Sequence, residues 1–510
     1  MNDMAMHRDD GSRQDLLTDT LESKLSTPQT SSDFDLHAGV DDVLKDVGSS
    51  IAESGASLSF YGRDPIIPAA HRFGTMAAIA LAAKAVGVAA LWRDRTGEQL
   101  KIEVDVRKAL RRFYGFFELK WETINGRSPA LADPLNPFLS SQPQLFRETR
   151  DGRHVVAINI YPKLAARALA LLRCGASRES LNNAILQWSA DDLEQAAAEA
   201  GLPMAKVRTF AEFRNELQYT EVLSRMPLIR VEKICESAPV PFKPNAQSAL
   251  DGVRALGMGH VIAGAAIGRD LALHGADVLN VWHPGETEIE AFAWDAQVGM
   301  RSTILGSSKD DRANLDRLLT DADIFFANKR PGYLERNGLD AETLCARKPG
   351  LIHAQVLLHG DTGPWKDRPG FDEVGAAVSG VFAIEGTLTK PSSPPIIPIC
   401  DNAVGWLGTV GILAALRRRA VEGGSYRVTV SLTRSVLWLM SLGIFDKDYA
   451  RATAGSSEEH ANVAPELFTA ETALGTYQGI TDQVVMSRPL GSFRTVLVPQ
   501  GSSKPEWLPQ

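Results

Sequence analysis

The tetrapeptide Pro65-Ile66-Ile67-Pro68 returns as Pro395-Ile396-Ile397-Pro398, and both copies run on into the same kind of chain. Four matching letters decide nothing alone, since at ~1/20 per position roughly one such coincidence is expected in a chain this long. The residues beyond them are more telling. Each copy continues into an apolar helical pattern rich in small residues, MAAIALAAKAVGVAALWR after the first and GWLGTVGILAALRRR after the second. A glycine turn and a short alternating strand come next, KIEVDV or YRVTVS. The pattern reads as a partial duplication. Three residues past the second proline the copies part, because His71 stands where the later copy has Asp401.

Around these copies the chain divides by pattern. Residues 1–50 are polar and rich in Ser, Asp and Thr, which predicts a disordered leader without the basic start and apolar stretch of a secretory signal. Residues 51–110 hold the first copy. Residues 111–236 place the helical patterns SRESLNNAILQW and ADDLEQAAAEAG around a strand-like HVVAINIY, predicting a small α+β domain. The prolines of SAPVPFKPNAQS mark 237–249 as a linker. From 250 to 445 strand and helix patterns alternate: GHVIAGAAIGRDLALHG at helical spacing, then ADVLNVW, DADIFFAN, GLIHAQVLL and PPIIPI as strands. That alternation predicts a parallel, Rossmann-like sheet. Residues 446–510 form a C-terminal return segment.

The basic residues are scattered in a chain of net charge −8, which argues against nucleic acid as a partner. No apolar run approaches the ~20 residues of a membrane span, so a cytoplasmic protein with no membrane partner is expected. Cys174, Cys235, Cys345 and Cys400 lie far apart and read as reduced thiols. His353 and His359 are the nearest histidine pair but lack metal spacing, no glycine elbow surrounds a serine, and no metal site is expected.

Two stretches could carry chemistry. Gly257-Met258-Gly259, leading to Gly264 and Gly268, could present backbone N–H groups to a phosphate at a helix start. It departs from the strict dinucleotide fingerprint, and glycines that merely permit close helix–sheet packing are the plainer account. Asp401-Asn402 before an apolar helix has the form of an N-cap, and equally of a carboxylate held among backbone donors at a strand end.

The stretch VRALGMGHVIAGAAIGRDLALHGADVLNVW resembles the opening βαβ unit of class III CoA-transferases. The resemblance continues through NKRPGYLERNGL (328–339), HGDTGPWKDRPGFDEVGAAVSG (359–380) and PIIPICDNAVGWLG (395–408), covering about 250–440 in the family's order. NGRSPALADPL, DGRHVV and ILQWSADDLEQAAAEAGLPMAKVRTFAEF are similar to the family's small domain, which ordinarily comes later, so the order here is rotated. The resemblance implies an α/β fold with a Rossmann-like parallel-sheet catalytic domain plus a smaller α+β domain. It also implies a possible homodimer, although the rotated order departs from the family's interlocked ring.

The resemblance further implies transfer of CoA from an acyl-CoA to a carboxylic acid, with CoA thioester as substrate and no tightly bound cofactor. In the family an aspartate forms an acyl anhydride and then a CoA thioester, and Asp401 matches its position. CoA contacts are implied for His260, Val261, Ile262 and Ala263, for Asn328, Lys329, Arg330 and Arg336, and for the turn from Arg368 to Phe371. The sequence departs from the family at Gly257, Gly259 and Trp282, and in ILGSSK after Ser302. Phe371 stands where the racemase branch has a histidine, which favours transfer over α-proton exchange. An acyl-CoA racemase or isomerase and a non-catalytic CoA-thioester-binding protein are the alternatives.

Overall fold

The computed structural model describes residues 16–131, 136–139 and 145–509. The leader expected to be disordered through 50 is instead helical in two places. One helix covers 16–26, and α1 (Leu36–Lys45) comes after it, with Asp35 accepting a hydrogen bond from Ala38 N as its cap. Polar composition concealed a buried face, since Val40, Val43 and Leu44 repeat at helical spacing and pack inward.

Strand β1 (Ser57–Tyr61) leads to α2 (Phe73–Thr96), β2 (Lys101–Asp105) and α3 (Val106–Tyr114). The two strands pair in parallel. Alanines and other small residues leave α2 with no polar face, so it is buried on all sides and stops at Gly97, whose φ of 78° suits a residue without Cβ. Here the expectation of no membrane-length apolar run fails: α2 has a mean hydropathy of 1.7 over an 18-residue window, enough by length and composition to cross a membrane. In this fold α1, α3 and later helices cover it, so it is a core helix.

In the 111–236 region, β3 (Phe146–Glu148), β4 (His154–Ala157) and β5 (Met204–Lys206) form an antiparallel sheet with β4 in the middle. Helices Pro162–Leu172, Arg178–Ile185 and Ala190–Glu199 cover it and share a separate apolar cluster. Pro162 at a helix start and serine caps at Ser177 and Ser189 set where these helices begin.

The chain then forms β6 (Arg230–Cys235), β7 (Arg254–Met258), α4 (Ala263–Leu273), β8 (Asp277–Trp282), β9 (Arg301–Ile304), β10 (Ile324–Ala327) and β11 (Ile352–Leu357). After α5 (Asp372–Ser379) and α6 (Asp401–Glu422) come β12 (Ser425–Ser431) and α7 (Leu432–Ser441). The seven strands lie in the order β9-β8-β7-β10-β11-β12-β6. Six run parallel, and β6 is antiparallel at the edge. The fold is therefore mixed α/β. PPIIPI is no strand: residues 395–397 and 399 are bends, because three prolines there lack the N–H that a ladder needs.

The return segment forms the hairpin β13 (Leu467–Thr472) and β14 (Gly475–Ile480), then β15 (Val484–Met486), which pairs antiparallel with β2. Thus β2 lies between parallel β1 and antiparallel β15, as β12 lies between parallel β11 and antiparallel β6. The long helices α2 and α6 pack together where Gly87 faces Leu413, and the ring of Phe113 on α3 meets Trp406 at 6.1 Å.

Candidate active site

Helices α4 and α6 meet at their N-terminal turns, beyond the C-terminal ends of the parallel strands. Gly405 makes this possible: a Cβ there would fall 2.5 Å from the Ala266 Cβ and 3.0 Å from the Ala263 carbonyl oxygen. Asp401, one turn earlier on α6, is thereby set beside the loop that joins β7 to α4. That loop is held from both sides. Asn280 exchanges two 2.9 Å hydrogen bonds with the Gly259 backbone, and Asn328 does the same with His260. Val261 takes a φ of 58°, a costly conformation for a β-branched residue, and its N–H donates to Glu288 Oε2 at 2.7 Å.

Asp401 is 6% exposed, and its carboxylate receives no hydrogen bond from a described residue. It does not cap its own helix, for Cys400 holds the cap position without a side-chain bond. The backbone donors expected to serve Asp401 go to a different carboxylate. Asp372 Oδ2 accepts from Ile399 N at 2.7 Å, Cys400 N at 2.6 Å and Asp401 N at 3.0 Å. Next to it in sequence stands Glu373, whose charge also acts on Asp401. Burial first, and then repulsion from neighbouring acids, pushes Asp401 and Glu373 well above the ordinary carboxylate range, and burial raises Asp372. Three amide donors oppose that effect at Asp372. Asn402 is buried with neither amide atom partnered among the described residues.

The 111–236 region supplies the opposite wall. Tyr161 donates its hydroxyl to Glu288 Oε1 at 2.6 Å and stacks on Phe371 at 6.3 Å. Burial first, then Glu288 and Asp401, push its phenol well above the usual range. Phe371 and Val261 are thus linked through Tyr161 and Glu288.

His260, Asn328 and Lys329 form a neighbouring group. Lys329 Nζ bonds Glu286 at 2.7 and 3.0 Å and also contacts His260. The hydrogen bond from His260 and the charge of Lys329 hold the Glu286 carboxyl well below the usual range against the cost of its burial. Ile262 and Ala263 begin α4, which has no side-chain cap. The three arginines stand apart from Asp401. Arg330 donates to the Gly201 carbonyl at 3.1 Å, Arg336 is exposed on the short helix Tyr333–Arg336, and Arg368 lies 3.5 Å from Glu194 and over the Trp365 ring. His71 is fully enclosed, with Nδ1 on Glu385 at 2.7 Å. Glu385 also accepts from the Ala70 and His71 backbone N–H groups.

Asp372, Glu373, Glu286, Glu288 and Tyr161 were not singled out in the sequence. The first two sit inside the 359–380 motif, where paired acids before an apolar helix look like first-turn charges. Tyr161 left one trace, an aromatic at a strand end before a helix-starting proline. No group of three potential metal ligands occurs among the described residues. A cleft of about 390 Å³ opens where β7 and β8 begin, lined by Arg95, Arg254, Asp277 and Arg494, and it includes none of these acids.

A family model described as CoA-transferase family III matches residues 250–478. Residues 250–478 are thus similar to CoA-transferase family III. The chain is 32% identical over 43% of its length to a succinyl-CoA–D-citramalate CoA-transferase of Chloroflexus aurantiacus, covering 57% of that protein. It is 32% identical over 41% of the chain to an acetyl-coenzyme A transferase of Hypoxylon pulicicidum, covering 37% of it. A cinnamoyl-CoA:phenyllactate CoA-transferase of Clostridium sporogenes is 30% identical over 40% of the chain, with 54% of its own length covered. The chain thus spans between about a third and somewhat over half of these relatives. Among solved structures, a hypothetical protein of Mycobacterium tuberculosis matches with a TM-score of 0.35 and 30% identity, over 39% of this chain and 58% of that one. The segment contains Asp401 and the three loops around it, whereas Tyr161 and His71 lie outside it.

Proposed function

We propose that this protein is a CoA-transferase that moves CoA from an acyl-CoA to a carboxylic acid with Asp401 as the covalent carrier. The observation that carries the reading is the Asp401 carboxylate, buried, without a hydrogen-bond donor among the described residues, and set where two helix N-termini meet. An Asp401 oxygen attacks the acyl carbonyl, the C–S bond breaks, and CoA leaves as thiolate with an acyl–aspartyl anhydride behind it. The thiolate attacks the Asp401 carbonyl, releasing the donor carboxylate and leaving aspartyl-CoA. The acceptor carboxylate then attacks that thioester, and the returning thiolate takes the new acyl group, which frees Asp401. Unfilled N–H groups in the first turn of α4 suit the oxyanions of these steps.

The loop from His260 to Ala263, with Asn328 and Lys329, is the proposed CoA cradle. The exposed Arg330 and Arg336 are its proposed phosphate partners, and Arg368 and Phe371 shape the wall beside Tyr161. The main-sheet order runs 3-2-1-4-5-6 when its parallel strands are counted from β7, which supports a Rossmann-like reading. The matched settings of β2 and β12, and the carboxylates bonded to backbone N–H at both His71 and Asp401, support a partial duplication.

Mass-spectrometric screening of acyl-CoAs against carboxylates tests the function. Exchange is expected for at least one pair, and Asp401→Asn is expected to lower its rate by at least ~10³-fold. CoA binding without exchange across a broad panel would instead favour a non-catalytic binding protein. A second reading, α-proton exchange, gains from Glu373 beside Asp401 despite Phe371. Deuterium entering the α-carbon without any acceptor acid would favour it.

A further inference from the structure

Glu288 has no part in the transfer steps above, yet its carboxylate joins two segments that are distant in the chain. Oε1 accepts the Tyr161 hydroxyl at 2.6 Å and the Ile289 N–H at 3.0 Å, while Oε2 accepts the Val261 N–H at 2.7 Å. Tyr161 belongs to the 111–236 region and Val261 to the loop between β7 and α4. That loop needs a hold, because left-handed backbone at a β-branched residue persists only where its surroundings over-determine it. Three side chains supply the hold. Asn280 and Asn328 fix Gly259 and His260, and neither has a hydrogen bond to the 111–236 region among the described residues. Glu288 fixes Val261 itself and is the one of the three that is also bonded to that region.

We infer that Tyr161 is a positioning residue that acts through Glu288, so that docking of the 111–236 region presets the CoA loop. The Tyr161 hydroxyl holds Oε1, which fixes the plane of the carboxylate and aims Oε2 at the Val261 N–H. Phe371, stacked on the Tyr161 ring with the planes 17° apart, keeps that hydroxyl in place. Without the hydroxyl the carboxylate is free to turn, and Val261 relaxes toward ordinary backbone. CoA must then restore the loop as it binds, so the loss falls on affinity for CoA and leaves the chemistry at Asp401 nearly untouched. No covalent bond to Tyr161 or Glu288 forms or breaks. The inference rests on the CoA cradle of the proposed function.

Two measurements on the full chain separate this inference from the function it serves. The first is amide hydrogen exchange without ligand. Tyr161→Phe keeps the ring and removes only the hydroxyl, and it is expected to speed exchange about tenfold or more in the peptide from Gly259 to Ala263. Peptides from the helix Pro162–Leu172 are expected to keep their native rates. Unchanged exchange in the loop overturns the inference, and so does faster exchange throughout the 111–236 region, which would make the hydroxyl a support of that region alone. Glu288→Ala is expected to loosen the loop at least as much, and adding Tyr161→Phe to it to change little more; additive effects would mean that Tyr161 does not act through Glu288.

The second measurement is steady-state exchange kinetics. Tyr161→Phe is expected to raise KM for the acyl-CoA about three- to tenfold with kcat within about twofold of native. A fall in kcat at unchanged KM places the hydroxyl on the reacting groups and overturns the inference even in a working transferase. A loop that loosens as expected in a protein whose native form transfers no CoA overturns the transfer reading and leaves the Tyr161–Glu288–Val261 link in place.

Discussion

Asp401 combines two properties that an ordinary surface aspartate keeps apart, burial and a lack of donors. Its pKa is raised in the folded protein by burial, then by Asp372 and Glu373, so the fold favours the protonated form. The stability this contributes is fully present below the unfolded-state value and is lost as pH rises through the folded one. Asp401→Asn removes that loss. Thermal unfolding is expected to show a Tm gain for Asp401→Asn that is larger at pH 8 than at pH 5, alongside loss of transfer. An equal gain at both values would mean that Asp401 titrates normally. Attack requires the ionised form, so kcat/KM for the acyl-CoA is expected to climb with pH through the same raised value. At this scale the sequence was partly legible: similarity to a family marked Asp401 and Phe371, but Tyr161 and Glu288 come from distant segments that only tertiary packing unites. His71 stands in the sequence where the later copy has Asp401, and in the fold it is an enclosed side chain on Glu385.

Helices and strands with clear periodicity were legible, as KIEVDV, ADVLNVW and YRVTVS all form strands. Two elements were misread for physical reasons. PPIIPI has β-forming isoleucines but prolines that cannot donate to a ladder, and α1 hides three core residues in a polar composition. The contact that matters most for the site, α4 against α6, depends on one missing Cβ at Gly405. Gly405→Val is expected to cost about 1–3 kcal/mol from overpacking and to weaken transfer more than the fold by moving the two helix starts apart. Denaturant unfolding and exchange kinetics on the same preparation check this, and unchanged kinetics would show that their spacing is unimportant.

Across the whole molecule, Lys84 ties three distant parts of the chain together. Fully buried on α2, it bonds Asp270 on α4 at 2.8 Å and Asp482 of the return segment at 2.6 Å. Removing the cation leaves two buried carboxylates facing each other, so Lys84→Ala is expected to cost about 3–5 kcal/mol. A small change in the denaturation midpoint would show that these parts are not energetically joined. A lone lysine in an alanine-rich helix gave no sequence signal of this role, because its partners lie 186 and 398 residues away. Local pattern carried no sign of how these parts join. The proposed covalent role of Asp401 is tested most directly by incubating the protein with an acyl-CoA, trapping with hydroxylamine, and analysing the peptide that contains residue 401 by mass spectrometry. A hydroxamate at Asp401 that disappears without acyl-CoA is the expected result; an unmodified Asp401 in a preparation that is exchanging CoA would contradict it.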